Sequence, residues 1–244
     1  PFIQRYPHQT MKQMLAWSTH EHPGVRRLAS EGCRPRLPWG MGLPALKADP
    51  SPILPILERL KTDESESVRR SVANNLNDIS KDNPDVVITT LQRWQADDSD
   101  EIRWITSHAL RTLIKQGHPA ALELLGYPSG AAISIRNFVI EPKIVPFSGS
   151  LAFSFELVSE SNQPQNLMID YVIHLRRANG KQTPKVFKLA KKTIQPGETL
   201  PFRKNHSFAP VTTRTYYPGE QAIELKINGQ LFNRTAFILS EETE

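Results

Sequence analysis

Between Asp63 and Asp78 the apolar residues fall at helical spacing. Val68, Val72, Leu76 and Ile79 form one stripe, while Arg70, Asn74 and Asp78 recur at i, i+4 and i+8 on roughly the opposite side. The pattern predicts a helix with one packing face and one polar face, and the acidic residues at its start suit a helix N-terminus. The same period runs through the first half of the chain. Met11, Met14 and Leu15 predict a helix over about Gln9 to Ser18, and His22-Pro23-Gly24 breaks it before a second run from Val25 to Glu31. A loop rich in Gly and Pro follows, from Gly32 to Pro44, with Trp39 inside it. Ser51-Pro52 and Asn83-Pro84 each read as a cap followed by a first helical residue, for helices ending near Leu60 and Gln95. Asp98 or Ser99 caps another from Glu101 to Ile114, and a short one spans Pro119 to Leu125.

After Gly126-Tyr127-Pro128-Ser129-Gly130 the period changes to two. Strands are predicted over Ala132 to Ile140, Leu151 to Val158, Leu167 to Arg176, Pro184 to Lys192, Pro201 to Phe208, Gln221 to Ile227 and Gln230 to Leu239. Asn228-Gly229 is a strong signal for a type I′ hairpin. Seven short strands predict an immunoglobulin-like β-sandwich, here without the Cys-Trp-Cys core. Strict alternation along the fourth strand would put Lys188 and Lys192 on one side and Lys191 on the other, so the lysines and arginines of this half need not form one patch.

The helical half also repeats. Val25-Arg26-Arg27, Val68-Arg69-Arg70 and Ile102-Arg103-Trp104 each follow an acidic or His-Pro turn and recur at spacings of about 43 and 34 residues, the range of HEAT-type helix pairs. The expected fold is therefore multidomain α + β: a HEAT-like α-solenoid over residues 1–128, then an immunoglobulin-like β-sandwich over residues 131–240. The chain opens Pro1-Phe2-Ile3 without an initiator methionine, and its solenoid is expected to lack N-terminal helices.

Charge changes this picture modestly. In 244 residues, 30 Lys and Arg face 25 Asp and Glu, a net charge of +5, so a basic surface must come from placement. In a solenoid the second helices line one groove, which would carry Arg26, Arg27, Arg69, Arg70 and Arg103. Guanidinium forks suit phosphate. The competing reading pairs these arginines with acidic turn residues of the neighbouring repeat. The single cysteine, Cys33, excludes an intrachain disulfide and argues against a Cys-type zinc site; a reducing bacterial cytosol and nucleoid fit best. No apolar run is long enough to span a membrane as a helix.

Motifs for phosphate-loop, zinc-peptidase or acyl-transfer chemistry are absent, and no cofactor is implied. What remains near the arginine face is Glu31, Trp39 and Asp78. Two carboxylates and an indole on a basic surface suit a cationic, oxocarbenium-like transition state at a sugar. The bland alternatives are a buried loop anchor for Trp39 and an intrahelical pair with Arg27 for Glu31.

The stretches VRRLASEGCRPRLPWGMGLP, SVRRSVANNLNDISKDNPD and EIRWITSHALRTLIKQGHPAALELLGY resemble the AlkC branch of the AlkC/AlkD alkylpurine DNA glycosylases, along essentially the whole chain. That resemblance implies hydrolytic excision of cationic N3-alkylated bases, 3-methyladenine and 3-methylcytosine, from duplex DNA in base excision repair. It implies no metal and no conventional base flipping. It puts the catalytic carboxylate on Asp78, the ribose-facing indole on Trp39 and a further site acid on Glu31. DNA contacts are expected from Arg26, Arg27, Arg34, Arg36, Arg69, Arg70, Asn74 and Arg103. The expected partner is alkylated double-stranded DNA, bound by a monomer with no obligate protein partner. A non-catalytic HEAT and immunoglobulin-like scaffold stays open as the other reading.

Overall fold

A computed structural model describes residues 2–212 and 214–241, and the chain divides into two compact units, Pro1–Leu125 and Gly126–Glu244. The first is helical: α1 (Phe2–Arg5), α2 (Pro7–Trp17), α3 (Pro23–Glu31), α4 (Pro44–Ala48), α5 (Leu54–Leu60), α6 (Glu66–Ile79), α7 (Pro84–Trp94) with a 3-10 turn over Gln95–Asp97, α8 (Asp100–Ala109), α9 (Arg111–Gln116) and α10 (Pro119–Leu124). The caps follow local chemistry. His22 Nδ1 accepts from the Gly24 amide and Ser99 Oγ from the Ile102 amide, each satisfying a donor that the first turn leaves open.

Helix α6 is the hub of this unit and packs chiefly between α3 and α8. Val68, Val72, Leu76 and Ile79 are buried along its stripe as the periodicity predicts. Three expectations change here. The helix expected to begin at Ser51-Pro52 starts at Leu54, after a turn in which Asp49 Oδ1 accepts from the Ser51 amide. Asn83 holds the N-cap position of α7 with Pro84 opening the helix, as expected, but its side chain makes no capping bond: its amide donates to the Lys47 carbonyl at 2.7 Å. The single helix expected from Glu101 to Ile114 is two, divided at Leu110.

The second unit holds two sheets. Strands β1 (Ile133–Glu141), β3 (Ser150–Ser159) and β6 (Thr199–Ser207) make one in the order β1-β3-β6. Strands β2 (Ile144–Pro146), β4 (Gln165–Arg176), β5 (Gln182–Ile194), β7 (Gly219–Ile227) and β8 (Gln230–Ser240) make the other in the order β2-β8-β7-β4-β5. Among the described residues there are thus eight strands, not seven. The additional one, β2, is three residues long and runs parallel to β8. Asn228 and Gly229 both have positive φ, 45° and 84°, as the hairpin requires. A register shift opposite Ile169 and Asp170 sets Lys191 against Met168 and Lys188 against Asp170, so these lysines share a face and the simple alternation is corrected.

Candidate active site

Three of the expected residues meet at the end of α3. Arg34 follows that helix, and its side chain turns inward instead of toward solvent. Its Nε and Nη2 donate to Asp78 Oδ2 at 2.8 and 2.7 Å, and its Nη1 donates to Glu31 Oε1 at 2.7 Å. Glu31 Oε2 in turn accepts from the Ser71 hydroxyl at 2.6 Å. The other Asp78 oxygen, Oδ1, accepts from Lys81 Nζ at 3.0 Å. Arg34 and Asp78 are 6% and 2% exposed. Glu31 therefore pairs with Arg34, not with Arg27.

Asp78 was expected on the wet face of α6 and is buried. The reason is helix geometry: a step of four residues drifts about 40°, so i+8 lies about 80° round from Arg70. That drift carries Asp78 from solvent toward α3 and the loop behind it. Asn75, on the same side, donates to the Ser30 carbonyl at 2.8 Å and helps fix α3 against α6.

The loop from Gly32 to Leu43 is tied to the same end of α6. Arg36 donates from Nε and Nη2 to the two oxygens of Asp82 at 2.7 and 2.5 Å. The hydrogen bond holds the Asp82 carboxyl below its usual range and lifts the Arg36 guanidinium. Trp39 at the tip is fully exposed, with φ 61°. It is not a buried anchor, and among the described residues no hydrogen bond, ion pair or ring contact holds it.

Two depressions flank this centre. A polar one of about 540 Å³ lies between α3 and α6, lined by Arg27, Glu31, Glu66, Arg70, Ser71 and Asn74 among others. An apolar one of about 720 Å³ runs along α1 and α2 to Arg34, Leu37 and Met41.

The expected phosphate-binding set divides. Arg26 is closed on Asp63 and Glu64 and on the carbonyls of His20 and Glu21, and Arg69 donates to the carbonyls of Asp63 and Glu64. With Arg34 they brace the fold: the acidic-turn pairing holds for Arg26, and these three are corrected from phosphate contacts to structural ones. Arg27, Arg70 and Arg103 face solvent. Arg70 pairs with Glu66, and Arg103 pairs with Asp98 and Asp100. Asn74 Oδ1 is taken by Arg111 Nη2 at 2.9 Å, with His108 Nε2 3.3 Å away. Burial, then Arg111 and Arg70, push the His108 imidazole below its ordinary value. Lys81, Ser71 and Arg111 were not singled out in the sequence. Lys81 was accessible as the i+3 partner of Asp78, whereas Ser71 and Arg111 act across helix pairs and leave no local signal.

The fold is that of a HEAT-like repeat chain with a C-terminal immunoglobulin-like domain, an architecture similar to that of an AlkC-type glycosylase. A HEAT-repeat family model matches residues 53–82, and the model for the C-terminal Ig-like domain of the uncharacterised protein YhaZ matches residues 134–241. The protein YhaZ of Bacillus subtilis (strain 168) is 44% identical over 231 residues, which are 95% of this chain and 64% of that protein. The Pseudomonas fluorescens alkylpurine DNA glycosylase AlkC, solved bound to DNA containing an abasic site analog, is similar with a TM-score of 0.92 and 38% identity over 98% of this chain and 66% of its own. The chain spans just under two thirds of the length of each.

Proposed function

We propose that this chain carries the catalytic centre of a DNA glycosylase for cationic N3-alkylated bases. The observation that carries the reading is the convergence of Asp78 and Glu31, from two different helices, on one buried cation, Arg34, whose loop also carries the exposed Trp39. The structural likeness to an alkylpurine DNA glycosylase supports it. An N3-alkylated base is already positive, so its glycosidic bond is weak and no general acid has to protonate the leaving group. The enzyme's task is to stabilise positive charge growing on the deoxyribose and to hold water for attack. Asp78 supplies an anionic oxygen to that charge and orients the water, and Glu31 adds negative potential from the polar cleft. Trp39 sets its π face against the sugar, a contribution of about 1–2 kcal/mol. Its left-handed backbone and full exposure support a contact made with a partner, since no packing in the free chain offsets that strain.

Arg27, Arg70 and Arg103 reach phosphates, and Lys81, partly exposed, leaves Oδ1 for a phosphate when duplex binds. In this reading the base stays in the stack. A scaffold without chemistry is favoured by one observation, the occupation of both Asp78 oxygens by Arg34 and Lys81. Lesion charge separates the two readings. Duplex containing 3-methyladenine is expected to lose that base and gain abasic sites, while hypoxanthine in the same context stays intact. Equal release of both contradicts the charge-based mechanism, and release of neither supports the scaffold.

A further inference from the structure

We infer that Arg34 is the positioning residue for both carboxylates of the site, fixing which oxygen of Asp78 is presented to substrate; the inference rests on the glycosylase reading above. Asp78 and Glu31 lie on neighbouring helices and carry like charge. Without a cation between them, a buried and a half-buried carboxylate repel, and the buried one stays undersolvated. The Arg34 guanidinium removes that conflict and imposes a geometry. Its planar fork spends two donors on the inner oxygen of Asp78 and a third on Glu31, so neither carboxylate is free to rotate. Ser71 fixes the other Glu31 oxygen.

The two oxygens of Asp78 are thereby made unequal. Oδ2 faces a guanidinium that is almost fully buried and held by both carboxylates. Oδ1 accepts its hydrogen bond from Lys81, whose side chain is 36% exposed, with Arg36 and Arg111 acting on the carboxylate only through space. The exchangeable cation marks the edge of the carboxylate that a cationic sugar can reach. The enclosed cation holds that edge in place. This role also explains why an arginine in a stretch with basic character turns its guanidinium inward.

The test compares the wild type with Arg34→Lys, Asp78→Asn and the double variant Arg34→Gln/Asp78→Asn. Glutamine is introduced only with Asp78→Asn because alone it would strand the buried Asp78 carboxylate beside the half-buried Glu31. Single-turnover release of 3-methyladenine is read beside affinity for duplex carrying an abasic-site analogue, its salt dependence, and the thermal midpoint. Arg34→Lys keeps the charge and loses the fork. It is expected to slow release about 100-fold, as a misplaced catalytic group does, with affinity within about threefold and an unchanged salt slope. The double variant is expected to be no slower than Asp78→Asn alone, because Arg34 acts through that carboxylate.

A folded Arg34→Lys with wild-type release overturns the inference alone. So does a weaker affinity with a reduced salt slope, which would make Arg34 a phosphate contact, or a further loss in the double variant. A wild type that releases nothing, or an Asp78→Asn variant as fast as wild type, overturns the glycosylase reading and this inference together.

Discussion

Trp39 and Asp78 are opposite cases at the scale of single residues. Trp39 is a large apolar side chain left in solvent, and Asp78 is a small charged one taken out of it. Each is expensive unless something repays it. For Asp78 the repayment is visible in Arg34 and Lys81. For Trp39 no such partner is present among the described residues, and the proposed function assigns its contact to the bound state. Trp39→Ala should therefore leave the fold intact and lower the rate of base release far more than duplex affinity. Measured side by side, equal losses in both would reduce Trp39 to a docking residue. The types of residue at this site were legible in the sequence, because an indole and two carboxylates stand out among arginines. Their surroundings were not. Arg34 lies 44 positions from Asp78, and only the packing of α3 on α6 brings the two together.

At the scale of elements, α6 was legible because its apolar stripe is long and regular, and burial alone dictates which face turns inward. The break between α8 and α9 at Leu110 was not, since it carries no Gly, Pro or change of period, and the three-residue β2 was not, since it is short and ends in Pro146, which argues against a strand. The β5 lysines were misplaced for a related reason: one extra residue in the ladder resets alternation without any mark in the sequence. Packing of strands also makes a prediction of its own. His206 on β6 lies among Phe187, Phe208 and Tyr171, with Nδ1 2.9 Å from the Tyr171 hydroxyl and Nε2 buried without a partner. Burial first, then Arg214, Lys204 and Lys185, push this imidazole from 6.5 down to about 4. The unfolded chain then binds a proton that the folded one refuses. Stability from this group is present above pH 6.5 and lost as pH falls toward 4, by about 3 kcal/mol in all. Urea midpoints of wild type and His206→Phe should show that slope in the wild type and a flatter one in the variant. Parallel slopes would contradict the assignment.

Across the whole molecule, a net charge of +5 is a weak guide, because much of the arginine is engaged in the fold. Arg26, Arg34 and Arg69 brace helices, and Arg36 latches a loop while staying exposed, so Arg27, Arg36, Arg70 and Arg103 are the solvent-facing members of the expected set. The two-part architecture was legible from the switch of period near Gly126, and it recurs in the AlkC structure at a TM-score of 0.92. Neither periodicity nor charge distinguishes a groove that holds DNA from one that also cleaves a glycosidic bond. That distinction rests on one carboxylate, and the direct measurement is release of 3-methyladenine from duplex DNA by the wild type and by Asp78→Asn, which keeps the shape and removes the charge. The account predicts release by the wild type and a loss of about 100-fold or more in the variant. Undiminished release by Asp78→Asn would contradict it.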